Sequence, residues 1–512
     1  MNTTNHDDTC RKLTRREVLA LGAGAAGGLA TSSPALGFEA TGELSSASRT
    51  AQLSQGSKSP NFVFFLGEGL RADEFSSSVL KGWDADGLSA MGNRILSTPH
   101  LDRVGREGIV FRNAFVVNAL CLPSRASLLT GLYSHSTGCI DNRDREIPEE
   151  VPTLVGLLRD AGYEVAFFGK AHIHGTHLWN WDYYLGIEAA GANYYRPVLT
   201  ESEHGVAQPP RTYHGYVDDI LTEHALAWLS RKHTRPFCLF LWFIAPHDPF
   251  YRPRRYLDLY NGAAIPKPIT FDSDLKGYPG KPRAFKEAYN KIGTTVLGDD
   301  DPRSLEELVK DHYAGVVTND DCVRRVFEAL EQMRVLDHTA VLLSSDHGYF
   351  LGEWRFYDKR FMHEPSIRVP LMIRYPRLVK PGTVVEKMAL NLDITPTVLE
   401  IADLKIPERM HGQSLVPFLQ GSEPARWRKD WLYEYYEYPG ENEVRPHRGV
   451  RTERYKLIHY YLEPEEFELY DLQEDPGELH NLYGTAAHAP LFAGLRDRLA
   501  ELRRETGDTL NF

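Results

Sequence analysis

Asn61-Phe62-Val63-Phe64-Phe65-Leu66 is a run of six residues whose only polar member stands at its start. A strand with one wet face would alternate polar and apolar residues. This run does not alternate, so it belongs in a sheet covered on both faces. A covered parallel sheet needs long crossover connections, and the chain supplies them. Further apolar strands are predicted at 163–168, 237–244 and 339–344, and helices at 151–161, 216–232 and 304–333. Another helix is expected to open at Thr98-Pro99-His100-Leu101-Asp102, with Thr98 as its cap and Pro99 in its first position. Repeated strand–helix units predict an α/β sandwich, its large mixed and mostly parallel sheet lying between helix layers. In such sheets the chemistry gathers beyond the carboxyl ends of the strands.

Beyond about residue 421 the texture changes. Short aromatic β segments at 431–438, 449–451, 455–461 and 467–472 follow one another without long helices between them, and Asp475-Pro476-Gly477 reads as a turn. A last helix over 490–504 starts at Pro490. We expect a smaller antiparallel sheet with one helix, dividing the chain into a main domain at 60–425 and a C-terminal α+β subdomain at 426–512. The aromatic segments suit core packing and sugar stacking equally.

The N-terminal 37 residues read as a targeting segment. Thr14-Arg15-Arg16-Glu17-Val18-Leu19 is a twin-arginine pattern, and the Gly/Ala-rich stretch 20–30 behind it is too short to span a bilayer. Residues 38–59, rich in Ser, Ala, Gly and Thr, read as a flexible linker. The expected partner is the twin-arginine translocase and the expected destination the periplasm or the exterior, without stable membrane insertion. Gly22-Ala23-Gly24-Ala25-Ala26-Gly27 mimics a dinucleotide-binding turn, but no strand precedes it. The formal net charge of −12 argues against a general nucleic-acid binder. Five cysteines are too few for a disulfide scaffold in 512 residues. Cys10 would leave with the leader, and no structural disulfide is expected among Cys139, Cys238 and Cys322.

One cysteine stands apart. Cys121-Leu122-Pro123-Ser124-Arg125-Ala126-Ser127-Leu128-Leu129-Thr130-Gly131 reads as a loop feeding a helix, with Pro123 in the first turn. Amides at a helix start favour an anion, and Arg125 adds a planar fork suited to a tetrahedral oxyanion. A free cysteine is ordinarily a small buried hydrophobe, and this setting is unusual for one kept only for packing. Polar groups recur after strands: Gly169-Lys170-Ala171-His172, Pro246-His247-Asp248-Pro249 and Ser345-Asp346-His347-Gly348, with Lys359 close behind. Each alone suits a structural histidine or a solvated lysine, and His172, His174 and His177 could be imagined as a zinc cluster. Their joint order, mostly at strand ends, is what carries weight.

The string at 121–131 matches without mismatch the sulfatase signature Cys-x-Pro-Ser-Arg-x-x-Leu-Leu-Thr-Gly, and the chain resembles that family over roughly residues 60–480. The resemblance implies an alkaline-phosphatase-like fold and sulfuric ester hydrolysis. It implies that a formylglycine-generating enzyme converts Cys121 to 3-oxoalanine (formylglycine), whose hydrate is the nucleophile. It implies one divalent metal ion, normally Ca²⁺, held by Glu68, Asp346, His347 and the modified Cys121. Arg125, Lys170 and Lys359 would hold the sulfate, His247, together with Lys359, would protonate the leaving alcohol, and His172 would take the proton of the second hydroxyl. The chain departs from the family at its first strand, where Asp-Asp-Leu-Arg is usual and Glu68-Gly69-Leu70-Arg71 stands instead. The missing ligand would come from water, the longer carboxylate or Asp73. The C-terminal section is similar to bacterial glycan sulfatases related to N-acetylglucosamine-6-sulfatases and iduronate-2-sulfatases. This makes a sulfated carbohydrate the expected substrate, with His447 and Arg448 reaching its anionic groups. Two alternatives belong beside this reading: a phosphoesterase or phosphonate hydrolase of the same superfamily, and a non-catalytic binder of sulfated glycans.

Overall fold

The structure is a computed structural model that describes residues 59–75, 95–143, 145–271, 280–288, 303–440 and 442–510. The leader and nearly all of the linker lie outside these residues. Four parallel strands form the centre of an eleven-stranded sheet: β1 (Asn61–Gly67), β2 (Glu164–Lys170), β3 (Phe237–Trp242) and β4 (Thr339–Ser345), in the spatial order β4-β1-β3-β2. Tyr183–Ile187 adds a further parallel strand beside β2, and antiparallel strands flank the block, Leu371–Arg374 next to β4 and Val198–Glu203 beyond Tyr183–Ile187.

The unbroken apolar run of β1 has the predicted consequence. Phe62, Phe64 and Leu66 enter the hydrophobic cluster on one face of the sheet, and Val63 and Phe65 enter the cluster on the other. All five are at most 1% exposed, and burying each contributes about 1.5–3 kcal/mol. Helices α1 (Cys121–Thr130), α2 (Val217–Leu229) and α3 (Leu305–Gln332) pack among these layers. Ser304 starts α3 with a capping box, accepting from the Glu307 amide while the Glu307 side chain accepts from the Ser304 amide.

The helix expected to open at Pro99 begins two residues later, at Leu101. Thr98 does not cap it; its hydroxyl donates to Asp102 at 3.0 Å. The amides of His100 and Leu101 donate instead to the carboxylate of Asp320 in α3, at 2.8 and 2.7 Å. A tertiary neighbour supplies the cap that a local side chain was expected to give.

The C-terminal strands β5 (Asp430–Tyr435), β6 (His447–Thr452), β7 (Tyr455–Tyr460) and β8 (Glu466–Asp471) form an antiparallel sheet in sequence order, covered by α4 (Ala489–Thr506). Its aromatic residues are core: Trp431, Tyr433, Tyr435, Tyr460 and Tyr470 are at most 1% exposed. They share one hydrophobic cluster with the facing layer of the large sheet. His447 does not reach a sugar. Its ring lies fully buried among Tyr433, Tyr435 and Tyr460, and burial pulls its pKa down to about 4. Arg448, next in the strand, turns to the opposite face toward α4. Tyr433 ties the small sheet to the segment ahead of α1 and to the chain after Lys359, its hydroxyl accepting from the Ala119 amide at 3.2 Å and donating to the Arg360 carbonyl at 2.6 Å. Among the described residues no helix is long and apolar enough to cross a membrane.

Candidate active site

The carboxyl ends of the four central strands converge on the start of α1. Glu68 follows β1, Lys170 ends β2, His247 lies five residues after β3, and Asp346 and His347 follow β4. Lys170 is aimed by a tight approach of two strands. At Gly169, whose φ is +140°, an added Cβ would lie 1.8 Å from the Trp242 carbonyl oxygen. Cys121 opens α1 one turn ahead of Arg125, so both side chains point to the same end of the sheet.

The sulfur of Cys121 is the hub. Its thiol donates to Glu68 Oε1 at 3.2 Å, and His347 Nε2 is 3.4 Å away. Lys170 Nζ lies 2.9 Å from Glu68 Oε2, and Arg125 bridges Glu68 at 2.5 Å and Asp346 at 2.9 Å. A second Arg125 nitrogen donates to the Lys170 carbonyl. Arg125, Lys170, Asp346 and His347 are fully buried. Burial opposes ionisation of the Cys121 thiol, but Lys170 and Lys359 prevail and hold it well below the usual thiol range. His172 also favours the ionised form of this sulfur. Burial keeps His172 neutral, its pKa drawn down to about 4, and its Nδ1 has no partner among the described residues. For His247 the effect of burial is outweighed by the Asp248 carboxylate 3.2 Å away, which favours the imidazolium.

The residues fit a cation. One ligand atom each from Glu68, Cys121, Asp346 and His347 lies within 4.8 Å of the others, and all four side chains are buried. Two carboxylates this close repel: burial and Glu68 push Asp346 upward. Burial alone would lower His347, yet Asp346 and the Cys121 sulfur draw it up to about 10. This anionic focus is what a divalent ion would neutralise.

Gly69 explains the missing acid. Its φ is +75°, and an added Cβ would stand 2.8 Å from the Tyr349 ring, so an aromatic side chain fills the place an aspartate would need. The Gly69 amide still serves, donating to Asp346 Oδ1 at 3.1 Å. Asp73 is no substitute. It pairs with Arg71 at 2.8 Å and stands outside the four-ligand group. Nor do His172, His174 and His177 form a cluster: His174 faces Glu146 at 3.7 Å and His177 faces Glu188 at 2.7 Å.

Lys359 approaches from a small hairpin of Phe350–Leu351 and Tyr357–Asp358, held by Asp358 at 2.9 Å. Three supporting residues escaped the sequence reading. Asp218, fully buried at the start of α2, accepts from the amides of Ile244 and Ala245 at 2.8 and 2.9 Å. Asn319 donates to the Ala245 carbonyl at 2.7 Å, and the Tyr194 hydroxyl donates to the His247 carbonyl. Together they fix the backbone that carries His247. Only the polarity of Asp218 and Asn319 at the apolar faces of their helices could have signalled them.

Comparison with known proteins agrees with this geometry. The family described as Sulfatase matches residues 60–404, and the family described as N-sulphoglucosamine sulphohydrolase, C-terminal, matches residues 352–505. An N-acetylglucosamine-6-O-sulfatase of Bacteroides thetaiotaomicron is 32% identical over 91% of this chain and 90% of its own. The multifunctional alkaline phosphatase superfamily protein PehA of Trinickia caryophylli is 30% identical over 81% of this chain and 91% of its own. Among solved structures, BT4656 in complex with its substrate D-glucosamine-2-N,6-O-disulfate superposes with a TM-score of 0.79 at 31% identity, covering 88% of this chain and 99% of that one. With its signature at the strand ends and its family match spanning most of its length, the chain belongs to the sulfatase family of sulfuric ester hydrolases.

Proposed function

We propose that the protein removes sulfate esters from a sulfated carbohydrate, a glycosaminoglycan or other polysaccharide fragment, using Cys121 as formylglycine and one divalent cation. The observation that carries this reading is the mixed surrounding of the Cys121 sulfur. Carboxylates and an imidazole suited to a cation share it with Lys170, Lys359, His172 and His247. The sugar preference rests on the relatives, one named an N-acetylglucosamine-6-O-sulfatase and one bound to a sulfated glucosamine.

When present, formylglycine supplies a hydrated aldehyde nucleophile and the cation lowers the charge barrier around it. The remaining work belongs to the chain's own side chains. Lys170 and Lys359, with Arg125 behind them, place positive charge where a sulfate monoester must sit, so oxyanion charge is met by fixed donors. His247, biased toward its cation by Asp248, is the acid for the departing alcohol oxygen. His172, neutral at working pH, accepts a proton at its free nitrogen. Glu68, Asp346 and His347 would hold the cation, normally Ca²⁺ in the resemblance. The imidazole nitrogen widens the choice toward softer divalent ions.

This reading brings its partners with it. A formylglycine-generating enzyme would convert Cys121, and the twin-arginine translocase would export the folded protein to the periplasm or beyond. The pairing of Arg15 and Arg16 ahead of an apolar stretch supports export, and changing both to Lys should retain the protein in the cytoplasm. Mass spectrometry of the peptide carrying position 121 should find an aldehyde in place of the thiol. Chelation should abolish turnover of an aryl sulfate, and a divalent ion should restore it. PehA's standing in the wider phosphatase superfamily keeps phosphoester hydrolysis as a second reading. A preparation that cleaves a matched aryl phosphate faster than the aryl sulfate would establish it.

A further inference from the structure

The outer face of the C-terminal sheet carries a second cationic cavity that the chemistry above does not use. Glu434, Arg448 and His459 align across β5, β6 and β7, so they share the face covered by α4. Tyr433, Tyr435, His447 and Tyr460 occupy the other face, toward Cys121. The thickness of the small sheet therefore separates this cavity from the catalytic centre. Its volume is about 350 Å³, and Arg448, His459, Tyr461, Glu465, Arg496 and Arg503 line it.

Arg448 is the anomaly. It is 5% exposed, and its guanidinium lies over the Tyr461 ring at 4.1 Å. Its Nε has no hydrogen-bond partner. Besides Tyr461, the contacts of its terminal nitrogens among the described residues are long: both reach the Leu510 carbonyl at 3.5 Å, and one reaches Asp508 at 3.6 Å. Asp508 is already engaged by Arg503 at 2.6 Å. Glu465 is turned to His459, 3.4 Å away. A buried guanidinium with contacts this long is costly unless an anion completes its set. Arg496 stands at the rim with 59% of its side chain exposed, 3.4 Å from Asp497 and 6.0 Å from the Phe492 ring centre. Two planar forks thus face one cavity, the arrangement suited to a tetrahedral or planar oxyanion.

We propose that this cavity is a second oxyanion site that binds the sulfate or carboxylate of a sugar unit in an anionic glycan. The choice of a glycan rests on the carbohydrate reading above; the oxyanion chemistry does not. A polymer held here and at the catalytic centre would gain effective concentration at Cys121 without any change in the bond-breaking groups.

Hydrogen exchange followed by peptide mapping separates the two sites. Addition of about 10 mM glucosamine 6-sulfate or glucuronate, above a Kd of about 1 mM, should protect peptides covering 447–461 and 495–504. The sugar that protects more strongly identifies sulfate or carboxylate as the bound group. In Arg496→Gln, an exposed position that leaves folding intact, the apparent affinity should fall about tenfold, one charge-assisted contact's worth. Arg448→Gln should abolish the protection, and both variants should turn over an aryl sulfate as the parent does. Absence of protection by either sugar, or protection unchanged in Arg496→Gln, overturns the proposal. Protection at these peptides in a protein that releases no sulfate from any glycan would uphold the cavity and discard the carbohydrate substrate.

Discussion

Two clusters of buried charge, built from the same residue types, behave oppositely in this molecule. Between the hairpin region and the small sheet, Lys456 is fully buried and donates to Glu478 at 2.6 Å and to the Met362 carbonyl at 2.7 Å, with Glu364 3.0 Å away. Glu364 also receives Arg451 at 3.1 Å. Every charge there has a short opposite partner, and the cluster is closed. Around Cys121 the pairing stays open. Two carboxylates crowd one sulfur, Lys170 lies within ion-pair distance of Glu68 but lacks an aligned acceptor, and His172 Nδ1 is alone. Burial is equal in the two places; completeness of pairing differs. Closed networks hold structure, and open ones mark where something else must bind.

The contrast can be broken most sharply at its open end. Cys121→Ala should lower aryl-sulfate turnover on the order of 10⁴-fold or more, as loss of a nucleophile does, while circular dichroism and melting temperature stay near the parent's. A collapse of folding would mean that this cluster, too, is structural. At the closed end, Lys456→Met leaves Glu364 and Glu478 short of a cation and should destabilise by about 3–5 kcal/mol in denaturant titration, with turnover per folded molecule retained. Acid should act on the same region. Despite burial, Arg451 and Lys456 hold Glu364 well below the ordinary carboxylate range. Its stabilisation is present above the unfolded Glu value of about 4.3 and is lost as pH falls from there toward the lower folded value, more steeply and over a wider span in the parent than in Lys456→Met.

Asp218 tests an intermediate case, a closed pair of hydrogen bonds serving an open site. Asp218→Asn exchanges one acceptor for a donor facing an amide, so His247 should shift and kcat fall about tenfold or more, with KM nearly unchanged. A proportional rise in KM without loss of kcat would show that Asp218 acts on binding alone. The smallest effect belongs to an exposed pair. Arg324 and Glu328, one turn apart on α3 at 2.7 Å, should contribute less than about 0.5 kcal/mol, measured by Arg324→Gln in the same denaturant titration.

The parts of the molecule that could be read from sequence were those whose cause is local. β1 declared itself by five consecutive apolar residues, α3 by Ser304 with Glu307, and the catalytic start of α1 by an uninterrupted string. What escaped depends on partners distant along the chain. The cap of the helix at Leu101 comes from Asp320. Gly69 looked like a lost ligand because Tyr349, whose ring takes the space, is remote in sequence. His447 looked accessible because strand alternation alone does not say which face of a small sheet meets a larger neighbour. Asp218 was silent because its role is toward backbone amides, which every residue possesses.

The bridge made by Tyr433 sets a timetable. Cys121 is 1% exposed, and strand β5 holds the segment just ahead of it, the Tyr433 hydroxyl accepting from the Ala119 amide and the Glu434 amide donating to the Val117 carbonyl. An enzyme that alters the thiol, as proposed above, would meet a looser segment before β5 docks. About 300 residues separate the two in the chain, and at ~5–20 residues per second of synthesis that leaves roughly 15–60 seconds. If Cys121 is converted as proposed, a chain still being made presents the thiol well before the strand that ties down its neighbourhood exists.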